Sequence, residues 1–450
     1  MKKVALINPG KNQEFGDNEP LSLACLAAYL NAGGIDVKII DELAGDNVKE
    51  ELEKYAPDLV GVTATTPLAM DAYLILDYAR SKGYKTVIGG VHASVLPDEA
   101  ASHADHVVIG EGEKVLLDIV SGAQTGRIVK GAYTENIDDI PPPARNLLNM
   151  EYYVGKRGRM PTAHLFFLQP GARLASMITS RGCPFSCMFC HNSWKGLPVR
   201  YNSPERVMAE ISELKEKYRV SAIFFMDDDF FVNKARFKAI CSALIESRMN
   251  IFWAANARVT SVSPETLALA KKAGCRQISF GFESGSQKIL DILEKRSTVE
   301  QGEAAVKMTK EAGLLVYGTF MIGNPTETRQ DMQLTENFIL RNKIDSIGIG
   351  ITTPYPGTKL WDWCQERKLI PEKINWSDFN MESCPAPANE LYPKQEIERI
   401  RSGIVMKSIF SRKLYFVGFY LKALFTHPVA LAKKFGAVFL PLISGKRAKK

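Results

Sequence analysis

Three cysteines within eight residues, Cys183, Cys187 and Cys190, are the densest group of reactive side chains in the sequence. They sit in Ser180-Arg181-Gly182-Cys183-Pro184-Phe185-Ser186-Cys187-Met188-Phe189-Cys190, spaced C-x3-C-x2-C. Thiolates this close can wrap one compact metal centre and leave one coordination position without a protein ligand. Structural zinc usually takes four ligands from paired C-x2-C halves. No second half follows, and the next cysteine, Cys241, falls in a helical pattern. His191 could complete a zinc site, although its adjacency to Cys190 strains tetrahedral closure. Cys25, Cys241, Cys275, Cys364 and Cys384 are scattered, which fits one thiolate cluster in a cytosolic protein better than a disulfide framework. Cys241 and Cys275 read as buried thiols, and Cys364 and Cys384 are assigned no metal.

The elements that must carry this loop begin at residue 175. Apolar runs at Ala175–Ser180, Ala222–Met226, Ile251–Ala257, Gln277–Phe282, Val316–Ile322 and Ser346–Thr352 alternate with helical patterns at 203–218, 233–248, 264–273, 299–312 and 327–341. Six strand–helix units imply an open, partial (β/α)6 version of the eight-fold barrel, with chemistry at the C-terminal strand ends. The cysteines follow the first strand. Phe225-Met226-Asp227-Asp228-Asp229-Phe230 follows the second, Arg258 the third, and Gly281-Phe282-Glu283-Ser284 the fourth. Gly318-Thr319-Phe320-Met321-Ile322-Gly323-Asn324-Pro325-Thr326-Glu327 ends the fifth, and Thr353-Pro354-Tyr355-Pro356-Gly357-Thr358 follows the sixth. Read alone, Asp227–Asp229 can be a loop and helix N-cap, and Glu283 can be a structural partner of Arg258.

Residues 1–125 show a second alternation. Val/Ile-rich runs at Lys3–Asn8, Asp36–Ile40, Leu59–Thr63, Thr86–Gly89 and His106–Ile109 lack polar alternation, as strands buried on both faces do. With helical patterns between them they describe a doubly wound parallel sheet whose ligand lies beyond the strand ends. No G-x-G-x-x-G follows the first strand, so a dinucleotide reading is weak. Instead Asn8-Pro9-Gly10, Pro20-Leu21-Ser22, Thr63-Ala64-Thr65-Thr66, Gly89-Gly90-Val91-His92 and Gly110-Glu111-Gly112-Glu113 crowd one rim. Glycines there admit close backbone approach to a flat or bulky ligand. Residues 126–171, with Pro141-Pro142-Pro143, read as a connector. The fold class is thus α/β: a Rossmann-like domain (1–125), a linker (126–171), a partial barrel (172–365), and a C-terminal extension (366–450).

The chain has 450 residues with 57 Lys+Arg against 50 Asp+Glu, a formal charge of +7. Residues 401–450 hold eleven of the basic residues and no acidic one, leaving 46 against 50 in the first 400. The body is mildly acidic, which argues against nucleic acid as a partner. No secretory leader is legible after Met1, and no apolar run reaches the ~18 residues of a membrane span.

The C-x3-C-x2-C loop together with the ordered strand-end motifs resembles the radical S-adenosylmethionine superfamily over roughly 172–365. The resemblance implies a [4Fe–4S] cluster on Cys183, Cys187 and Cys190, with S-adenosylmethionine chelating the fourth iron. It further implies that Phe189 approaches the adenine. Asp227, Asp228 and Asp229 stand where the family usually has Gly-Gly-Glu, at the methionine amino group. Arg258, Glu283, Ser284, Gly323 and Pro354 complete the implied contacts. The first 120 residues resemble the cobalamin-binding domain of this family's cobalamin-dependent branch. That implies cobalamin contacts from Asn8, Pro9, Pro20, Leu21, Thr63, Thr65, Thr66, Gly89, Gly90, Val91, His92, Gly110, Glu111, Gly112 and Glu113. The D-x-H-x-x-G element that supplies an axial histidine elsewhere is missing. His92 is the nearest candidate, so cobalamin is expected with its own base displaced and no protein imidazole on cobalt.

The activity this implies is methylation of an unactivated carbon, or occasionally phosphorus. One S-adenosylmethionine methylates Co(I); a second yields a 5′-deoxyadenosyl radical that activates the substrate, which then takes the methyl from methylcobalamin. No protein acid or base is assigned. A cyclase or rearrangement enzyme with the same cofactors is the alternative, and a non-enzymatic cluster or cobalamin sensor is a remoter one. A methylthiotransferase would carry three cysteines in its N-terminal domain, where only Cys25 stands. The implied electron donor is a flavodoxin or ferredoxin, and the substrate a small or lipid-like molecule. Trp361, Trp363 and Trp376 read as core packing or as lining of the barrel mouth. The stretches Arg412–Phe425 and Pro428–Ile443 are apolar, aromatic and basic. They read either as a capping subdomain or as a peripheral contact through 401–450 with the cytoplasmic face of a membrane.

Overall fold

The computed structural model describes residues 2–10, 18–155, 165, 167–168, 171–191, 196–381 and 384–411. One compact unit runs to Glu398, and residues 399–450 form a second. The stretches 412–425 and 428–443 lie outside the described residues. Among the described residues no helix is long and apolar enough to cross a membrane.

Near-continuous apolar runs make the N-terminal strands. β1 (Lys3–Asn8), β2 (Asp36–Asp41), β3 (Leu59–Thr63), β4 (Lys85–Gly89) and β5 (His106–Ile109) are joined by β6 (Ile128–Lys130) in the order β2-β1-β3-β4-β5-β6. All pairings are parallel. Five strands were legible; β6 comes from the segment read as connector. It is short and partly exposed, so it shows no apolar run. Helices Leu21–Ala32 and Glu113–Ser121 lie together against this sheet, and Val48–Tyr55 and Ala69–Ser81 are among the other crossovers.

The second sheet orders β14 (Ser346–Ile351), β13 (Leu315–Ile322), β12 (Cys275–Glu283), β11 (Phe252–Ala257), β10 (Ala222–Phe225) and β7 (Leu174–Met177), each parallel to its neighbour. This is the expected six-stranded partial barrel. Its helices Pro204–Tyr218, Lys234–Ser247, Pro264–Lys272, Val299–Glu311 and Arg329–Arg341 each start on a side-chain cap: Ser203, Asn233, Ser263, Thr298 and Thr328. The acids 227–229 are therefore not the N-cap of the helix they precede; Asn233 is. Between β7 and the first barrel helix, β8 (Ser180–Arg181) and β9 (Arg200–Tyr201) form a two-stranded antiparallel ladder that closes the base of the cysteine loop.

Buried ties join the N-terminal domain, the connecting segment and the barrel within the compact unit. Ser176 on β7 donates its backbone N–H to Glu19 Oε1 at 3.1 Å. Arg145 donates to Glu210 Oε1 at 2.6 Å and to the Ser176 carbonyl at 2.9 Å. Tyr153 donates its hydroxyl to Asp41. The chain also returns after β14 to the N-terminal domain, where Trp361, Trp376 and Phe379 pack into the same apolar core as Ile7, Val60 and Ile88. Trp376 donates its indole N–H to Glu99 Oε1 at 2.8 Å. Of the two tryptophan readings, core packing holds for Trp361 and Trp376.

Gly90 caps the helix Val91–Val95 with φ +95°, and a Cβ there would stand 2.6 Å from the Ala64 carbonyl oxygen. Gly90→Ala should lower the unfolding free energy by about 1–3 kcal/mol, read as a shifted denaturation midpoint at unchanged slope.

Candidate active site

The C-terminal strand ends of both sheets open onto one cavity of about 530 Å³. From the N-terminal domain it is lined by Thr63, Gly89, Gly90, Val91, Gly110, Glu111, Gly112 and Glu113, with Leu21 and Cys25 opposite. From the barrel it is lined by Arg181, Gly182, Cys183, Cys190, His191, Met226, Asp227 and Asp228. Its floor is apolar: Leu6, Val62, Val87, Val108 and Leu116, with Gly61 among them. A Cβ on Gly61 would stand 2.9 Å from the Leu6 side chain, so glycine is what leaves this floor open.

Asp227 ties the cysteine loop to the second barrel strand. Its Oδ1 accepts from the Thr179 N–H at 2.8 Å and the Ser180 hydroxyl at 2.5 Å, and its Oδ2 from the Thr179 hydroxyl at 2.7 Å. Arg236 braces the same threonine, donating to its hydroxyl at 2.6 Å. Burial pushes the Asp227 carboxyl up against these hydrogen bonds and the Arg236 charge. Asp229 is buried too; its Oδ1 accepts from the Phe231 N–H and the Ser261 hydroxyl, each at 3.0 Å. Of the three acids, Asp228 alone is exposed, with no hydrogen-bond partner among the described residues, and it lines the cavity. One of the three is thus free to meet a cation; Asp227 braces the cysteine loop, and Asp229 braces its own turn against Ser261.

Cys183 and Cys190 face the cavity, whereas Cys187 is buried. Arg258 sits over Phe185, 3.7 Å from its ring centroid, and donates Nη1 to Cys187 Sγ at 3.5 Å and Nη2 to the Lys295 carbonyl. Burial and then the Asp228 charge push Cys190 up to about 12. Burial, with a smaller contribution from Asp228, also raises Cys183. Metal binding at these thiols must therefore displace protons. Among the described residues no group of three or more His, Cys, Asp or Glu is drawn tightly enough to hold a single metal ion. Burial pulls His191 below its ordinary value, and a backbone hydrogen bond links it to Gly357. The donor set nonetheless suits a cluster. It offers three sulfur atoms on one loop, a guanidinium beside the middle one, and a free carboxylate beside the outer two. The cradle of Gly89, Gly90, Gly110 and Gly112 above an apolar floor suits a large planar ligand with a base to bury.

The remaining expected contacts are placed differently. Glu283, at φ +66°, pairs with Lys295 at 2.6 Å, so its structural partner is Lys295 and not Arg258. Ser284 is buried beside Thr335, their hydroxyls 3.1 Å apart. Gly323 and Asn324 donate backbone N–H groups to Glu327 Oε2 at 2.7 and 3.0 Å. Pro354 is buried, and Phe189 packs beside Leu360, Cys364 and Trp363. Asn8 donates to Asp41 at 2.8 Å. Asn8, Pro9, Pro20, Thr65 and Thr66 are not among the cavity's lining residues. His92 is fully buried away from the cavity, 3.3 Å from the Thr66 hydroxyl and 3.5 Å from Glu99, with the Trp376 ring edge-on. It is a satisfied core histidine.

Glu111 and Glu113 do line the cavity, but their carboxylates are engaged by Arg200 and Arg181 of the cysteine loop's base. Neither arginine was legible as functional, since nothing in their spacing points to an acid in another domain. Cys25, Arg206 and Glu210 line the cavity as well and carry no motif.

Comparison with known proteins agrees with this arrangement. Residues 177–339 match the Radical SAM superfamily and residues 15–120 the B12 binding domain. A protein of Pyrococcus horikoshii described as an uncharacterized methyltransferase is 33% identical over 90% of this chain and 88% of its own length. The anaerobic magnesium-protoporphyrin IX monomethyl ester cyclase of Rubrivivax gelatinosus is 29% identical over 84% of this chain and 71% of its own. The fold is shared with the radical S-adenosylmethionine methyltransferase TsrM of Kitasatospora setae (TM-score 0.64, 20% identity, covering 81% of this chain and 76% of that one).

Burial pushes the Glu327 carboxyl up to about 7 against its backbone hydrogen bonds, and its Oε1 has no partner among the described residues. A carboxyl raised in the folded state favours folding while protonated, and that contribution is lost as pH rises from the unfolded value through about 7. Wild type should therefore lose up to about 3 kcal/mol more stability than Glu327→Gln between pH 4.5 and 7.5, measured by denaturant unfolding of both at each pH.

Proposed function

Because the chain belongs to the cobalamin-binding branch of the radical S-adenosylmethionine superfamily, we propose that it is a methyltransferase acting on an unactivated carbon of a small molecule. The observation that carries this reading is the single cavity. Cys183 and Cys190 line the same cavity as Gly89–Val91 and Gly110–Glu113, so the cofactors and a substrate would meet in one place. The cluster and S-adenosylmethionine would supply one-electron cleavage to a carbon radical, and cobalamin the methyl group.

The chain's own residues then have distinct tasks. Cys183, Cys187 and Cys190 would hold the cluster, with Arg258 donating to Cys187 and seating Phe185 behind it. Asp228 is the acid available to the amino group of S-adenosylmethionine, while Asp227 and Asp229 fix the backbone that presents it. The glycines at 89, 90, 110 and 112 would admit the corrin to the strand ends. The apolar floor formed by Leu6, Val62, Val87, Val108 and Leu116 would hold an apolar part of it. His92 is engaged inside the core and would not reach a ligand in the cavity. A flavodoxin or ferredoxin would supply the electron.

Anaerobic reconstitution with iron, sulfide and cobalamin, followed by turnover of a cell extract with methyl-labelled S-adenosylmethionine, tests the reading. Label should enter a new carbon–methyl bond, and Cys183, Cys187 and Cys190 all changed to Ala should abolish it. Asp228→Asn should weaken S-adenosylmethionine binding about tenfold or more with cluster content unchanged. A product altered but unlabelled identifies a cyclase or rearrangement enzyme instead.

The basic, apolar residues 401–450 support the further reading that the substrate is lipid-like and met at an anionic membrane surface. The full chain should co-sediment with vesicles containing anionic lipid and lose that on truncation after residue 400. Equal binding by both removes the idea.

A further inference from the structure

The cysteine loop is closed at its base by the β8–β9 ladder, where Arg181 and Arg200 stand directly opposite one another. Like charges in register across a ladder repel. Here the repulsion is answered from the N-terminal domain. Arg200 donates Nη2 to Glu111 Oε1 at 2.5 Å and Nη1 to Oε2 at 3.1 Å. Arg181 donates Nη2 to Glu113 Oε1 at 2.5 Å and lies 3.5 Å from Glu111 Oε1. The Thr134 N–H donates to Glu111 Oε2 at 3.1 Å, and the Tyr133 ring lies 3.9 Å from the Arg200 guanidinium. Glu111, Glu113 and Arg200 are all under a tenth exposed. Burial pushes the Glu111 carboxyl up, but the Arg200 hydrogen bond, the Thr134 N–H and the two guanidinium charges together hold it below its ordinary value.

The same segment faces the cavity. Gly110, Glu111, Gly112 and Glu113 line it, and Glu113 starts the helix whose Leu116 forms part of the floor. An occupant pressing on this segment bears on the two acids, and through them on the two residues from which the cysteine loop springs. The N-terminal domain has other ties, from Glu19 to Ser176 of the barrel, from Asp41 to Tyr153 of the connecting segment and from Glu99 to Trp376 of the segment after the barrel. Breaking the quartet therefore leaves the domains joined and releases the loop.

We propose that Glu111 and Glu113 are positioning residues. Through Arg181 and Arg200 they set the distance between the cobalamin and the cluster, and they make the cysteine loop firmer when the cavity is filled. The proposal rests on the functional reading above and goes beyond it, because it assigns a geometric task to two acids otherwise read as ligand contacts. The Arg200–Glu111 fork suits the task, since two parallel hydrogen bonds fix orientation as well as distance, and Arg181 bridges both acids.

The test uses the full chain loaded with cluster and cobalamin, comparing wild type with Arg181→Met, Glu113→Gln and Arg181→Lys. Pulsed electron paramagnetic resonance reads the distance distribution between cob(II)alamin and the reduced cluster. Hydrogen exchange is followed over residues 182–199 with and without the cofactors, loading being expected to slow it in wild type, with β1 and β12 as reporters of the global fold. Wild type should give one narrow distribution. Arg181→Met and Glu113→Gln should broaden it and speed loop exchange at least about tenfold while β1 and β12 stay protected. Arg181→Lys, which keeps the charge but not the guanidinium that reaches both acids, should fall between. Distributions and loop exchange like wild type in both Arg181→Met and Glu113→Gln overturn the proposal. So does faster exchange throughout β1 and β12, which makes the quartet a general stabiliser. A wild-type chain that takes up neither cofactor overturns the functional reading instead.

Discussion

A parallel sheet delivers every loop that follows a strand to the same edge, and here two such edges are held against one another. The constraint comes from the parallel pairing throughout both sheets, which leaves the C-terminal rim as the place where loops of different origin meet. Cysteines, acids and glycines separated by many tens of residues thereby come to line a common wall. The two sheets must also stay in register with each other, because a small rotation would separate the glycine-lined rim from the cysteines. The Glu19–Ser176 tie, with those of Arg145 and Tyr153 from the connecting segment and of Trp376 from the segment after the barrel, supplies that registry.

Several of the low-exposure charges in this arrangement are held in matched pairs. Glu283 with Lys295, Arg145 with Glu210, and the arginines of the loop base with Glu111 and Glu113 are all low in exposure and closely matched. A matched buried pair adds little net stability, but removing one partner is strongly destabilising, so such pairs specify geometry more than they add energy. Asp228 departs from this pattern. It stands beside two thiols with no partner among the described residues, where an incoming cation has most to offer.

Much of this was legible in the sequence, and the parts that were not share a cause. The barrel strands declare themselves because buried parallel strands read as unbroken apolar runs, and the cysteine spacing is local. Ladder β8–β9 has two residues per strand and β6 has three, too short for any periodicity to register. The partners of Glu111 and Glu113 lie 89 and 68 residues away in another domain, so a motif search sees acids at a strand end and reads ligand contacts. His92 misleads for the converse reason. Its place after a glycine-rich strand end suggests a metal ligand, while Thr66, Glu99 and Trp376, which satisfy it, are brought together only by tertiary packing.

The return of Trp376 and Phe379 to the N-terminal core bears on how the chain reaches this state. On a ribosome the first six strands emerge long before residue 376, yet the apolar core behind them stays incomplete until the whole barrel has been made. Until then a patch beside Ile7, Val60 and Ile88 lacks its aromatic cover. The last segment of the compact unit thus closes the first domain to be synthesised, and a chain halted before it would carry a cobalamin-binding sheet with an open seam.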